Sequence, residues 1–393
     1  MPSASPPAEP RTRISCASSP AEWGKLAAEW PELISNSAAD AVFLSWPWMD
    51  TWMSVYGDSG RWLVLVARDV ADGQLLGVAP MMIDRGSGHV GRWMRRLVLL
   101  GQKADTASEY LDWILRRGHE EAVAAAFCEH LLQAEGSTWD LLRFEAMRGD
   151  SPTLPLLQKV FAAHGRPLTI SPSTSSPYLT LPSTWDAFLS SRSGTFRTRW
   201  NKFHREHQVV VKEAGTDFSV EAGMRLLRDL NEKRWGERRQ SFLSDRYRRF
   251  HDEVSARMLA AGHLAMLFLE ADGQIVAGRY DFAYAGKAWC FQGGWLPEWE
   301  KERAGKMMLT AMMRWCIDHG LGEYDFLGGE ASYKNEWGDG ERQIVAVQAA
   351  NPRSVRGKLF EALRRLKHAS APLMHTKALT PARPRATSKS AAD

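Results

Sequence analysis

Cys290-Phe291-Gln292-Gly293-Gly294-Trp295 is an apolar run that closes on glycines, and a few polar residues later comes Glu302-Arg303-Ala304-Gly305-Lys306-Met307-Met308-Leu309. A strand ending in glycines, followed by a basic, glycine-containing helix start, leaves backbone N–H groups exposed. Helix N-termini hold phosphate through those orphan donors and the positive end of the dipole. Arg303 and Lys306 would add charge. The segment has one glycine where phosphate-cradling loops usually have several, so it reads equally as an anion site and as a plain helix start. A second cationic run, Arg192–Arg205, interleaves Phe196, Trp200 and Phe203 at helical spacing. It could hold an anion, or turn its arginines to solvent while the aromatic side packs down. Cys16, Cys128, Cys290 and Cys316 form no CxxC or Cys/His cluster, and His204, His207 and His263 lack ligand spacing, so no metal site is expected.

The elements that must position these residues are announced by a repeat. Ala-Asp-Gly-Gln occurs at Ala71–Gln74 and again at Ala271–Gln274, each time between two apolar runs. Apolar run, Asp-Gly, apolar run predicts a β-hairpin, because Asp and Gly tolerate the positive φ of tight turns. A helix-like stretch then leads into Trp139-Asp140-Leu141-Leu142 in one half and Tyr324-Asp325-Phe326-Leu327 in the other. Offsets of 200 and 185 residues agree to within a loop, so a duplicated α/β unit is expected, with Asp140 and Asp325 structural. The spacing predicts helices near Trp46–Val55, Glu120–Ala134, Ser151–His164, Ser183–Ser190, Ser193–His207, Ser219–Gly236, Arg246–Ala260 and Ala304–His319. Met307, Met308, Met312 and Met313 read as core filler.

Composition bounds the rest. A chain of 393 residues with 44% hydrophobic residues has room for two ordinary domains. The expected division is 1–20 as a disordered Ser/Pro/Ala-rich leader without a signal-peptide core, 21–170 and 171–351 as the two units, and 352–393 as a basic tail. Ser171–Pro177, rich in Ser, Thr and Pro, reads as the boundary. No apolar run approaches the ~20 residues of a membrane span. Scattered free thiols fit a reducing cytosol. The tail carries ten Lys/Arg against two Asp/Glu, a charge of +8, which leaves −4 on the remainder. That body does not read as a DNA-binding surface. Val355–Lys367 is amphipathic, with Leu359, Phe360, Leu363 and Leu366 on one side, and could meet an anionic membrane or pack on the second unit.

The order helix, hairpin, strand with Gly, basic Gly-containing helix start, helix, strand resembles the GNAT acetyltransferase core, whose pyrophosphate motif is Arg/Gln-x-x-Gly-x-Gly/Ala. Here Gly305 is the clear glycine and Met307 stands where a second small residue is expected. From about Ala21 to Asn351 the chain is similar to the CelD-like, cellulose-biosynthesis-associated tandem GNAT proteins, related in architecture to Fem-type aminoacyltransferases. Its most specific pieces are Glu232-Lys233-Arg234-Trp235, Tyr324–Glu330 and Tyr333-Lys334-Asn335-Glu336-Trp337. The resemblance implies an α/β fold of two tandem GNAT-like acyl-CoA N-acyltransferase units with mixed sheets flanked by helices. It implies acetyl-CoA or another acyl-CoA as co-substrate, no metal, and a small-molecule or sugar-linked amine or hydroxyl acceptor in cytoplasmic envelope or exopolysaccharide synthesis. Acyl transfer to an amine needs a base, and Glu330 or Asp281 is expected to serve, with Tyr333 as proton donor to the leaving thiolate. The backbone around Phe291, Gln292 and Gly293 would face the oxyanion, and Arg303, Ala304, Gly305 and Lys306 the pyrophosphate. Arg234, Trp235, Lys334 and Trp337 could contact the acceptor, or be packing and solvated residues. Two alternatives stand beside this: a Fem-type aminoacyl-tRNA-dependent transferase, and a non-catalytic GNAT-like binding module.

Overall fold

Both Asp-Gly segments are hairpin turns. In the computed structural model, which describes residues 12–86, 93–102, 106, 108–235, 244–329 and 332–370, Asp272 (φ 53°) and Gly273 (φ 79°) both take positive φ. A two-residue turn between the paired Ala271 and Gln274 requires this. The first copy closes a longer loop, in which Gly73 alone has positive φ (77°) and Asp69 N–H donates to Gln74 O at 3.0 Å.

The first half of the chain runs β1 (Thr12–Ala17), α1 (Pro20–Gly24), α2 (Trp30–Ser35), α3 (Trp46–Tyr56), β2 (Arg61–Asp69), β3 (Leu75–Arg85), β4 (Arg95–Leu99), β5 (Ile114–Leu115), α4 (Glu120–Gln133), β6 (Leu141–Arg148) and α5 (Thr153–Ala163). The second runs β7 (Thr169–Thr180), α6 (Trp185–Ser191), α7 (Gly194–Glu206), β8 (Val209–Glu213), α8 (Val220–Trp235), α9 (Asp245–Ala260), β9 (Leu264–Ala271), β10 (Gln274–Tyr284), β11 (Lys287–Trp295), α10 (Ala304–Asp318), β12 (Glu323–Asp325), α11 (Ser332–Trp337), β13 (Gly340–Ala350) and α12 (Val355–Ser370).

The described strands join one mixed sheet in the order β1-β2-β3-β4-β6-β13-β7-β12-β11-β10-β9-β8, with β5 on β3. The duplication is explicit: β1-β2-β3-β4-β6 mirrors β8-β9-β10-β11-β12. Each copy ends in a parallel pair, β4 with β6 and β11 with β12, across a helix. The expected separate sheets are one, because β13 and β7 lie between the copies and pair with each other, with β6 and with β12.

Three expectations change here. Ser171–Pro177 is not a loop but part of β7. Its Pro172 falls at a register irregularity against β13, where a missing N–H is tolerated. Thr12–Ala17, placed by composition in the leader, is β1, hydrogen-bonded along β2. The sequence Tyr324–Gly328 also reads as a strand, but the strand ends at Asp325, since Leu327 (φ 55°) and Gly329 (φ 101°) turn the chain away.

Two apolar clusters cover the sheet. One runs through both halves and includes Trp48, Leu65, Phe250, Phe282 and Trp289. The other lies under α10, where Met307, Met308, Met312 and Met313 meet Trp200, Phe203, Leu267 and Leu269. Trp48 of α3 makes edge contacts with Phe250, Phe282 and Phe291 at centroid distances of 5.0, 5.6 and 5.6 Å, so the halves share a core.

Candidate active site

β11 and β12 pair in parallel at only three positions, Lys287–Trp289 against Glu323–Asp325, and then part. On its other side β11 carries a bulge: Tyr280 pairs with Gln292 and Phe282 with Trp289, so Cys290 and Phe291 together face Asp281. Bulges of this two-against-one kind re-aim side chains beside sites. Asp281 pins this one by accepting from Phe291 N–H at 2.9 Å. Its carboxylate also accepts from Arg279 Nη2 (2.6 Å) and Tyr324 Oη (2.6 Å), and it is fully buried. Arg279 Nη2 further donates to Cys290 Sγ at 2.8 Å. Burial pushes the Cys290 thiol and the Tyr324 phenol up.

Where the strands part, two charged groups meet the end of β12. Lys334, buried on α11, donates to Leu327 O (3.0 Å) and to Gly328 O. Burial lowers its pKa. Glu109, from the first half, accepts from Gly328 N–H with both oxygens (3.0 and 2.8 Å) and from Ser176 Oγ (3.2 Å). Burial raises its pKa, against the pull of the Gly328 amide and the Lys334 charge. Tyr110, the next residue, donates to Asp325 Oδ2 at 2.8 Å. The first half thus supplies a carboxylate to the parting strands of the second.

One turn further along α11, Glu336 and Trp337 line a cleft of about 290 Å³ between the starts of α7 and α10. Its wall includes Arg192, Ser193, Phe196, Arg199, Arg303 and Lys306. Ser193 caps α7, accepting from Phe196 N–H at 3.2 Å. Arg303 begins α10 from the left-handed region (φ 58°), and its carbonyl takes the amides of both Lys306 (2.8 Å) and Met307 (3.0 Å). The expected four-residue amide cradle is therefore narrower. Ala304 and Gly305 keep amides without a recorded partner among the described residues, and cationic side chains supply the rest of the positive field. Lys306 is bound to Glu336 (2.7 Å). Among the described residues Arg199 and Arg303 have no carboxylate partner. Arg192 lies over Phe188 (4.6 Å) with its Nε buried and unsatisfied among the described residues, and burial lowers its pKa.

The sequence-predicted residues distribute as follows. Phe291, Gln292 and Gly293 lie on β11, but the Phe291 amide is already bonded to Asp281, and Gly293 is small because a Cβ would stand 2.9 Å from Arg279 Nη1. A Cβ on Gly305 would stand 2.7 Å from Trp295 Cε3, so that glycine admits the indole against the helix start. Arg234 lies over the same ring. Arg303, Lys306 and Trp337 meet in the cleft, whereas Lys334 turns into the wedge and is not a solvated charge. Glu330 lies outside the described residues, as do the side chains of Tyr333 and Trp235. Sequence reasoning missed Glu109, Arg279 and the join of Arg192 and Arg199 to the α10 start. The last had a signal in the basic run; Glu109 sits more than 200 positions from Gly328 and had none.

Residues 190–335 match the family model described as an acetyltransferase (GNAT) domain. Among solved structures, FemX superposes with a TM-score of 0.60 at 11% identity over 86% of this chain and 98% of that one. A conserved protein of unknown function from Bacteroides thetaiotaomicron VPI-5482 follows at 0.52, with 10% identity over 83% and 97%. A tandem GNAT protein from the clavulanic acid biosynthesis pathway gives 0.45 and 11% over 87% and 99%. No curated protein matches. The parting strands, the α10 start and the basic cleft all fall inside or against the matched segment, so residues 190–335 are similar to a GNAT acetyltransferase domain and the chain as a whole has a fold similar to that of FemX.

Proposed function

We propose that the chain transfers an acyl group from an acyl-coenzyme A to an amine or hydroxyl, as the CelD-like resemblance implies, on a sugar-linked acceptor of envelope or exopolysaccharide synthesis in the cytoplasm. The observation that carries this is the cleft: two helix starts and four cations, Arg192, Arg199, Arg303 and Lys306, converge beside parting parallel strands. That is a seat for a phosphorylated donor whose thioester end enters the wedge. There the acceptor nitrogen attacks the thioester carbonyl, the C–N bond forms as the C–S bond breaks, and the acceptor proton goes to Glu109. The thiolate takes a proton from solvent or from Tyr333. Lys334 and Arg279 place positive charge under the developing oxyanion. Asp281, enclosed and holding Arg279, Tyr324 and Phe291, suits a positioning role. A Fem-type reading with aminoacyl-tRNA shares the fold; the longest described helices have 16 residues, and an inserted helical arm would be longer.

Calorimetry with acetyl-coenzyme A tests the seat. Micromolar binding is expected, weakened about tenfold or more by Arg303→Glu or Arg199→Glu. Both residues are exposed, so thermal stability should hold. Wild-type protein that does not bind, or variants that bind unchanged, would remove the donor from this cleft.

A further inference from the structure

The C-terminal helix is docked the wrong way round for a soluble surface helix. Ser354 caps α12, accepting from Gly357 N–H (3.1 Å) while donating to Asp140 Oδ1 (2.6 Å). Gly357 brings the first turn so close that a Cβ would meet Asp140 O at 2.6 Å. The face turned to the protein carries half-buried Phe360, Glu361 and Arg364, and Arg364 donates to Thr169 Oγ1 (2.9 Å). The outward face carries Val355 (79% exposed), Leu359 (48%) and Leu363 (58%). An apolar row pointing away from the core, on a helix tethered through its charged side, needs an occupant.

Charge selects the occupant. Lys358 and exposed Arg365 flank the row, and the sequence from Pro352 onward carries +8. A second copy of this chain would bring that charge against itself. An anionic bilayer would take the leucines into its acyl boundary and the cations at its headgroups. No described helix is long and apolar enough to cross a membrane, so the contact is one of lying on the surface. We infer that the outer face of α12 docks the protein on an anionic lipid surface. This stands independently of the acyl-transfer reading.

Co-sedimentation of the full chain with phosphatidylglycerol-rich vesicles, compared with pure phosphatidylcholine vesicles, tests it. Binding to the former at low salt, weakening as salt screens the headgroups, is expected. Leu359→Asp with Leu363→Asp should reduce partitioning on the order of tenfold or more. Lys358→Glu with Arg365→Glu should weaken binding and flatten its salt dependence. Circular dichroism and acetyl-coenzyme A affinity should be unchanged in both. The inference is overturned if the wild type stays with the supernatant, or if the leucine variant binds as the wild type does. It is equally overturned if sedimentation equilibrium without lipid finds a dimer that the leucine variant splits.

Discussion

Glu109 is the residue whose placement says most about the chemistry. A carboxylate can accept the proton of an incoming nucleophile only when it is ionised, and burial holds Glu109 above the ordinary carboxylate range while Gly328 and Lys334 keep it from rising further. As the base, it would make turnover climb with pH through its raised pKa and stay high above it. Glu109→Gln keeps the size and the Ser176 contact, and should lower kcat ~10²–10⁴-fold while abolishing that acid limb. Steady-state rates across pH 4–8 would decide it; a variant retaining both rate and limb would leave Glu109 a structural link between the halves. Asp281 is a contrasting carboxylate. Four hydrogen bonds, from Arg279 Nη2 and Nε, Tyr324 Oη and Phe291 N–H, surround it and leave no room for an acceptor.

At the scale of the element, the start of α10 combines packing with the binding proposed for it. Its glycine admits the Trp295 indole, over which Arg234 also lies, so the proposed phosphate seat and the packing of β11 on α10 share one position. Gly305→Ala should therefore lower stability by ~1–3 kcal/mol, because the ring must shift, and weaken acetyl-coenzyme A at the same time. Arg303→Glu should weaken the ligand alone. Thermal denaturation and calorimetry on the two variants separate these effects. Equal behaviour of the two would mean that the helix start is purely structural. A Gly305→Asp variant is a poor probe of phosphate repulsion, since its first effect is steric.

Across the whole molecule, the halves are joined by β13 and β7 through the middle of the sheet, by an aromatic core around Trp48, and by polar links such as Glu109 to Gly328 and Tyr110 to Asp325. His251 of α9 sits in that core, its ring 6.2 Å from Trp48 and 5.1 Å from Phe291, with Nδ1 3.3 Å from Tyr280 Oη. Burial, then the Arg228 charge, lowers its pKa to about 3 from 6.5. Because the folded pKa lies below the unfolded one, the unfolded chain takes the proton first. Stability is full above about pH 6.5 and is lost as pH falls toward 3. At pH 5 this costs ~2 kcal/mol. His251→Phe keeps a ring in the cluster and should lose less stability than the wild type between pH 7 and pH 5. Urea denaturation at both values measures it; parallel losses would place the acid sensitivity elsewhere.

Local physics was legible in the residues themselves. Asp72-Gly73 and Asp272-Gly273 specified hairpins because turn geometry depends on neighbours in sequence. The helices from Trp46 to Asp318 followed from apolar periodicity, and the duplication from repeated spacing. Arg303, Lys306 and Trp337 were marked by type, and the structure brings them together. What neighbours in sequence cannot specify is long-range pairing. Ser171–Pro177 reads as a boundary until β13 offers it hydrogen bonds. Gly293 and Gly305 read as ligand-facing until Arg279 and Trp295 are seen against them, and Glu109 reads as nothing until the chain returns to lay Gly328 beside it. Composition and order determined which elements form; only the closing of one sheet across both copies decided which charges share a site.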